Sequence, residues 1–544
     1  MTDQQPWLNH YDPEVPPHLE YPTFTIQDFL ERQAKATPGR MALICEGKVI
    51  SYAELLSSSR CFAEHLVQLG LTPGDRVGIC LPNTIEFVIS FFGTLMAGGV
   101  VAAMNPLYPL PEWQYQTKIV APKLLIGLKT RDDELFDLKN KSGSAHLILV
   151  DVKTDQQLFP KVYDEVSYIP FEQCLLQTDE HIQLPDVTAF SPAVLQFSGG
   201  TTGLPKAALA LHCNVTVNII QFSKWLTSLQ QGQETFLTAI PLYHVYGMVI
   251  GLNVGIALGA AIVLVPDGRN LDHTLELIQE HNVTFFPGVP SMYQAINRHP
   301  KVLAGEINLG SIKACISGSA PLLPETREQF EKLTGGKLVE GYGLSEAPTA
   351  THCNPIKGEN RNGSIGLPLP DVECKIVDLE DDSIVMPTGE AGQLLIRSPQ
   401  VMVGYFGSPS ETSLVMKNNW LYTGDIAKMD EDGYFYILGR LKELIKVNGL
   451  QVWPSEVEEV LVRHHKILDA AVAGVKDEIT GEAVKAWVVL RDFALLDPKD
   501  IQLFCRSSLA GYKIPKEIVA VEAIPKSAIG KVLRRELVNL ESKK

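Results

Sequence analysis

The stretch Ala193-Val194-Leu195-Gln196-Phe197-Ser198-Gly199-Gly200-Thr201-Thr202-Gly203-Leu204-Pro205-Lys206 decides how the rest of the chain is read. Its first five residues form an apolar run of strand length, and the nine that follow combine glycines, hydroxyls and one lysine. Glycine lets backbone amides converge on an anion, hydroxyls add donors, and lysine brings a mobile positive charge. A strand that feeds such a loop is the context that phosphate binding requires. The spacing is not that of a Walker A loop, because GxxxxGK[ST] is absent. Taken alone, the segment is either a phosphate loop or a structural glycine-rich turn.

Outward from this loop, residues 23–440 alternate helical periodicity with short apolar runs, among them Arg76–Cys80, Leu147–Val150, Phe236–Ile240, Val283–Phe286 and Ile312–Ile316. Helices that alternate with fully apolar strands predict layered α/β sheets. Ser51-Tyr52-Ala53-Glu54 has capping-box spacing ahead of Leu55 and Leu56. From about Gly366 the texture changes to short alternating strands in CKIVD, GQLLIRS and GYFYILGR, which predict a β-rich subdomain over residues 366–440. A compact α+β module follows over 441–544. Within it Ser455-Glu456-Val457-Glu458 is read as the cap of a helix, and AAVAGV at 470–475 and AVKAWVVL at 483–490 as strands. This module, with Arg440, carries a charge of +3 against −19 for the preceding chain.

The 544 residues are enough for several cores. A net charge of −16 argues against a general nucleic-acid binder. Nine cysteines without a CxxC pair disfavour a disulfide scaffold or zinc cluster and fit a reducing, cytoplasmic compartment. The N-terminal residues lack the basic and apolar regions of a signal peptide. Two apolar stretches, Phe87 to Met104 and Gly247 to Pro266, approach bilayer length. Each contains glycines and ends in a β-like run, so a buried helix feeding a buried strand is expected, with peripheral membrane contact left open.

Five further motifs follow the loop in order: Pro241-Leu242-Tyr243-His244, Glu340-Gly341-Tyr342-Gly343-Leu344-Ser345-Glu346, Tyr422-Thr423-Gly424-Asp425, Gly439-Arg440-Leu441-Lys442-Glu443, and Gly530-Lys531. Together with SGGTTGLPK they resemble the adenylate-forming superfamily of acyl-CoA synthetases, luciferases and peptide-synthetase adenylation domains, over essentially the whole chain. The resemblance implies an α/β adenylate-forming fold with a large N-terminal body, residues 1–440, and a smaller mobile C-terminal lid, 441–544. It implies that Ser198, Gly199, Gly200, Thr201, Thr202, Gly203 and Lys206 embrace the outgoing pyrophosphate of ATP. Glu346 would contact Mg²⁺, with Ser345 supplying a hydroxyl where relatives usually carry threonine. Gly318, Ser319, Ala320, Gly341, Tyr342 and Gly343 would surround the adenine. Asp425, assisted by Arg440, would accept hydrogen bonds from the ribose hydroxyls.

The resemblance makes Lys531, in a late PKxxxGKxxR-like pattern, the catalytic cation that bridges the reacting carboxylate and the α-phosphate. A second step then follows lid rotation, in which the CoA thiol attacks the acyl adenylate. Lys442 occupies the hinge, and Lys446 and Gly449 belong to the segment brought to the thioester-forming face; for Lys446 an exposed strand lysine is the competing reading. His244 resembles a gate beside the acyl site, lined by Tyr246, Gly247 and Met248. It is expected to position substrate, since a carboxylic acid is already ionised near neutral pH. Gly247, Gly251, Gly255 and Gly259, four apart, fit close helix packing either beside an apolar channel or in ordinary core.

Within the superfamily, the PLYHVYG segment lacks the Asp that pairs with an amino-acid ammonium, and no carrier domain is expected after residue 544. The expectation is a medium- or long-chain fatty acid activated by ATP and transferred to CoA. An aryl- or coumarate-type CoA ligase, an acyl-AMP ligase, a luciferase-like oxygenase and a nonenzymatic ATP-binding protein are the alternatives. The expected partners are a fatty acid or related carboxylate and CoA, with no nucleic acid; a homodimer is left open.

Overall fold

A computed structural model describes residues 5–151, 168–177, 182–198, 205–491, 494–527 and 530–541. The predicted loop residues Gly199, Gly200, Thr201, Thr202 and Gly203 lie outside the described residues.

Among the described residues two large sheets build the body. In the first, Val100–Ala103, Arg76–Cys80, Leu124–Leu128 and His146–Val150 run parallel with the helices between them. On its other side Pro192–Ser198 pairs antiparallel with Lys206–Leu211, and Gly404–Tyr405 adds beyond them. The second sheet carries Ala261–Leu264, Thr235–Thr238, Phe285–Gly288, Ala314–Ser317 and Lys337–Leu344 as parallel neighbours, then turns antiparallel into Ala347–Cys353. The central strands are buried along both faces, as sheets covered by helices on each side must be.

Both apolar stretches are a buried helix feeding a buried strand. Ile85–Met96 leads into Val100–Ala103, and the helical segments Gly247–Asn253 and Val254–Ala257 lead into Ala261–Leu264. No helix among the described residues is long and apolar enough to cross a membrane. The glycine series lets this helix lie tightly on the strand Thr235–Thr238. A Cβ at Gly251 would stand 2.9 Å from Thr238 and one at Gly255 3.1 Å from Phe236. Gly247–Asn253 winds as a π-helix, a widened turn often found at functional sites. The capping box at Ser51 and Glu54 is formed at the start of Tyr52–Gln68.

The β-rich segment is antiparallel: Glu373–Val377, Gly392–Arg397, Trp420–Met429 and Phe435–Arg440 are neighbours in that order. The C-terminal module is built on a long hairpin, Ile467–Asp477 with Gly481–Leu490, covered by the helices Pro454–Val462 and Pro498–Arg506. One expectation is corrected here. Ser455 is not the N-cap of its helix; Trp453 holds that position, Pro454 opens the helix, and the Ser455 hydroxyl donates to the Leu438 carbonyl across the junction with the body. Proline is favoured in the first turn because its missing N–H is not needed there.

Candidate active site

The site assembles where the ends of three sheets meet the C-terminal module. Trp420–Met429 and Phe435–Arg440 form a hairpin closed by Asp430, whose Oδ1 accepts the backbone N–H of Asp432 and Tyr434. Its register sets Asp425 opposite Arg440. Asp425 is 3% exposed, and Arg440 Nε lies 3.0 Å from its Oδ1. Thr423 Oγ1 donates to the Leu394 carbonyl and accepts the Asp425 N–H, which fixes the turn before the carboxylate. Asp425 holds the Arg440 guanidinium firmly charged.

From the second sheet, Tyr342 Oη donates to Asp425 Oδ2 at 2.5 Å. Burial and the adjacent Asp425 carboxylate push its phenol well above the ordinary range. The glycines on either side are sterically required to different degrees. A Cβ at Gly343 would sit 1.8 Å from the Thr349 carbonyl oxygen, whereas one at Gly341 would first meet Ile316 at 3.3 Å. Beneath this strand, Gly318, Ser319 and Ala320 follow Ala314–Ser317, with Ser319 in the left-handed region at φ 72°. Glu340 Oε2 accepts the Leu322 N–H at 3.3 Å and so ties the two segments together. Burial pushes the Glu340 carboxyl up to about 8.

Ser345 and Glu346 occupy the tight turn between Lys337–Leu344 and Ala347–Cys353, both half-buried. Glu346 Oε1 accepts a hydrogen bond from Tyr405 Oη at 2.7 Å, and its carbonyl accepts the Met402 N–H. Ser198 ends its strand opposite Lys206, which opens the next. The Lys206 ammonium pairs with Glu411 and lies 5.0 Å above the Tyr405 ring.

His244 is half-buried at the head of the helix that contains Tyr246, Gly247 and Met248. Its Nδ1 accepts the Tyr246 N–H. Burial first, and then the nearby Lys531 charge, push its imidazole down to about 3, so the ring is neutral at physiological pH. Tyr246 Oη donates into the Ile316 and Gly288 carbonyls, and its ring lies under Gly318. Met248 is fully buried. At Gly247 a Cβ would stand 2.3 Å from the Pro241 carbonyl oxygen.

The C-terminal module brings Lys531 into this ring of residues. Its ammonium is destabilised by burial and by Arg440, and is supported by Asp425, Glu346 and Glu443. Gly530, at φ 79°, passes Val289 of the body, 3.9 Å from where its Cβ would be. Lys442 lies exposed in the short 3-10 turn Leu441–Glu443, immediately after Arg440. Lys446 is exposed on Ile445–Val447, its N–H donating to Glu482, and Gly449 completes the Asn448-Gly449 hairpin with both residues at positive φ. The structure therefore joins Tyr342, Asp425, Arg440, Glu346, His244 and Lys531, and leaves Lys446 and Gly449 on an exposed hairpin.

Sequence reasoning missed Tyr405 and gave no role to Glu340 or Arg534, which stand inside the quoted motifs. Arg534 donates to Glu443, Glu458 and the Val472 carbonyl, which binds the Lys531 segment to the first turn after Arg440. Tyr405 lies 59 residues from Glu346 in the chain, and no local spacing connects them. The Glu340 signal was available, since it opens the EGYG motif.

Among the described residues no cluster of three or more His, Cys, Asp and Glu forms a metal cage. A single carboxylate such as Glu346 fits a hard cation that keeps waters and takes further oxygens from a phosphate, as Mg²⁺ does.

The chain belongs to the AMP-binding enzyme family. The family match covers residues 30–406, with the AMP-binding enzyme C-terminal domain over 456–531. The chain is similar to a long-chain-fatty-acid–CoA ligase of Bacillus subtilis, 39% identical over 100% of this chain and 99% of the relative. A long-chain-fatty-acid–CoA ligase of Yersinia pestis is 35% identical over 99% and 98%. Among solved structures, ATP-bound MatB from Rhodopseudomonas palustris superposes with a TM-score of 0.85 at 27% identity, over 95% of this chain and 99% of that one. Apo MatB from Rhodopseudomonas palustris gives a TM-score of 0.76 at 27% identity, over 95% of this chain and 99% of that one.

Proposed function

We propose that this protein is an ATP-dependent fatty acid:CoA ligase that forms AMP. In the first step a carboxylate oxygen attacks the α-phosphorus of ATP; the new C–O–P bond forms as the bond to pyrophosphate breaks. In the second step the CoA sulfur attacks the acyl carbon, the thiol proton passes to solvent, and AMP leaves. The observation that carries this reading is that the Lys531 ammonium lies within electrostatic reach of the Asp425–Arg440 pair and of Glu346. A cation there stabilises charge shifting from carboxylate to phosphate and pyrophosphate.

Within this reading Asp425 and Arg440 hold the ribose, Tyr342 and residues 318–320 hold the adenine, and Glu346 holds Mg²⁺, which neutralises phosphate charge. Ser198, Lys206 and the loop between them hold pyrophosphate. The neutral His244 ring orients the acid and screens its entry beside Tyr246, Gly247 and Met248. The body ends at Arg440 and the lid begins at Leu441, with Lys442 as hinge. Lys446 and Gly449 serve the thioester step after rotation. The full-length identity with long-chain-fatty-acid–CoA ligases supports a long-chain acid.

The test is a panel of fatty and aromatic acids offered with ATP, Mg²⁺ and CoA, with products identified by mass. Acyl-CoA from medium- or long-chain acids is expected. AMP formation without acyl-CoA would defeat the ligase reading, and a preference for aromatic acids would replace its substrate. Vesicle sedimentation and sedimentation velocity test the two partner readings left open, peripheral membrane contact and a homodimer.

A further inference from the structure

We propose that Tyr405 is a positioning residue that couples the metal carboxylate Glu346 to the phosphate-loop lysine Lys206. The inference rests on the assignment of Glu346 and Lys206 given above. Tyr405 donates its hydroxyl to Glu346 Oε1 at 2.7 Å, while the Lys206 ammonium sits 5.0 Å over its ring. One side chain thus touches both groups through different chemistry: a charge-assisted hydrogen bond at its tip and a cation–π contact on its face.

The backbone places it there. Tyr405 pairs with Ala208, two residues beyond Lys206, on the strand that leaves the phosphate loop. Val403 N–H donates to Leu209 O and Phe406 N–H to Ala207 O, so both flanks of Tyr405 are held to that strand. Met402 N–H donates to the Glu346 carbonyl, which fixes the acidic turn by its main chain as well as its side chain. The Thr412 hydroxyl accepts the Tyr405 N–H at 2.9 Å, and the following helical segment supplies Glu411, the ion-pair partner of Lys206. The tyrosine hydroxyl engages one carboxylate oxygen, and the other is not used by that bond. A ligating carboxylate held through one oxygen loses less freedom when a cation arrives, and removal of such a partner weakens metal affinity by roughly 10–100-fold.

Binding can be followed without turnover, because ATP offered without a carboxylic acid has no acceptor. The full-length protein is titrated calorimetrically with ATP at a series of Mg²⁺ concentrations. Tyr405→Phe keeps the ring and removes the hydroxyl. It is expected to raise the Mg²⁺ concentration for half-maximal enhancement of ATP affinity by about 10-fold, with Mg²⁺-free ATP affinity within about twofold of the parent. Tyr405→Leu, which also removes the ring, is expected to weaken Mg²⁺-free ATP binding in addition. An unchanged Mg²⁺ half-point in Tyr405→Phe, alongside a lost Mg²⁺ response in Glu346→Gln, overturns the role of Tyr405 alone. A normal Mg²⁺ response in Glu346→Gln overturns the metal assignment and the inference with it.

Discussion

At the residue scale, burial holds two ionisable side chains away from their ordinary behaviour in opposite directions. Burial first, and then the neighbouring Arg440 cation, disfavour the charged form of Lys531, and Asp425, Glu346 and Glu443 offset part of that cost. Such an arrangement is useful where negative charge develops, so Lys531→Ala should lower acyl-adenylate formation by roughly 10²–10³-fold. The same variant should consume supplied acyl adenylate and CoA at close to the parent rate; equal loss in both half-reactions would contradict the assignment. Glu340 is an acid kept neutral. In the fold its carboxyl holds the proton up to about pH 8, while the unfolded carboxyl releases it near 4.5. The folded state therefore binds more protons between those values, and stability is lost as pH rises through that window. Glu340→Gln retains an acceptor for the Leu322 N–H and removes the titration. Its stability relative to the parent, read from thermal unfolding, should rise from pH 5 to pH 8 by an amount on the order of a few kcal/mol. Parallel melting curves across that range would refute the claim.

At the scale of elements, the strand Lys337–Leu344 passes so close to its antiparallel neighbour that Gly343 has no room for a methyl group. The obstacle is the Thr349 carbonyl, which is backbone and does not yield as a side chain would. Gly343→Ala should cost roughly 3 kcal/mol or more and, by displacing Tyr342, weaken ATP binding measured calorimetrically. Gly341→Ala, whose methyl would meet Ile316 at 3.3 Å and the His352 carbonyl oxygen at 3.4 Å, should cost about 1 kcal/mol. Similar losses for the two variants would show that strand approach is not what the glycines serve. Elements of this kind were largely legible in the sequence, because burial on both sheet faces writes itself as uninterrupted apolar runs such as Leu147–Val150. The errors were at the ends. Phe236–Ile240 was read as strand but pairs only over Thr235–Thr238, since Ile240 already belongs to the turn into His244. Ser455 was read as a cap from its S-x-x-E spacing, a local signal overridden by Pro454 and by a bond to Leu438.

At the scale of the whole molecule, the charge split of −19 and +3 places a mildly basic module against an acidic body, and the contact delivers Lys531 to Asp425 and Glu346. The motif residues of that contact were legible because each lies in a short, ordered signature. Tyr405 was not, and Arg534 was legible only as the closing Arg of the late pattern, because their work is done through partners 59 and 91 residues away, and only the fold brings those distances together. With Lys531 in the site, Lys446 and Gly449 remain on an exposed hairpin, so one lid orientation does not serve both proposed steps. The backbone between Arg440 and Glu443 joins the body's Asp425–Arg440 pair to a lid whose first turn is clamped by Arg534. On the proposed function, rotation of the lid is expected to be absorbed at Leu441 and Lys442 rather than spread through the lid. Lys442→Pro fixes φ near −65° at that point. Acyl-adenylate formation, read by pyrophosphate exchange, should stay within about threefold of the parent, while acyl-CoA formation from supplied acyl adenylate should fall at least about 10-fold, a barrier raised by about 1.4 kcal/mol. An unchanged ratio of the two half-reactions would mean that the lid turns elsewhere or that both steps proceed from the arrangement seen here.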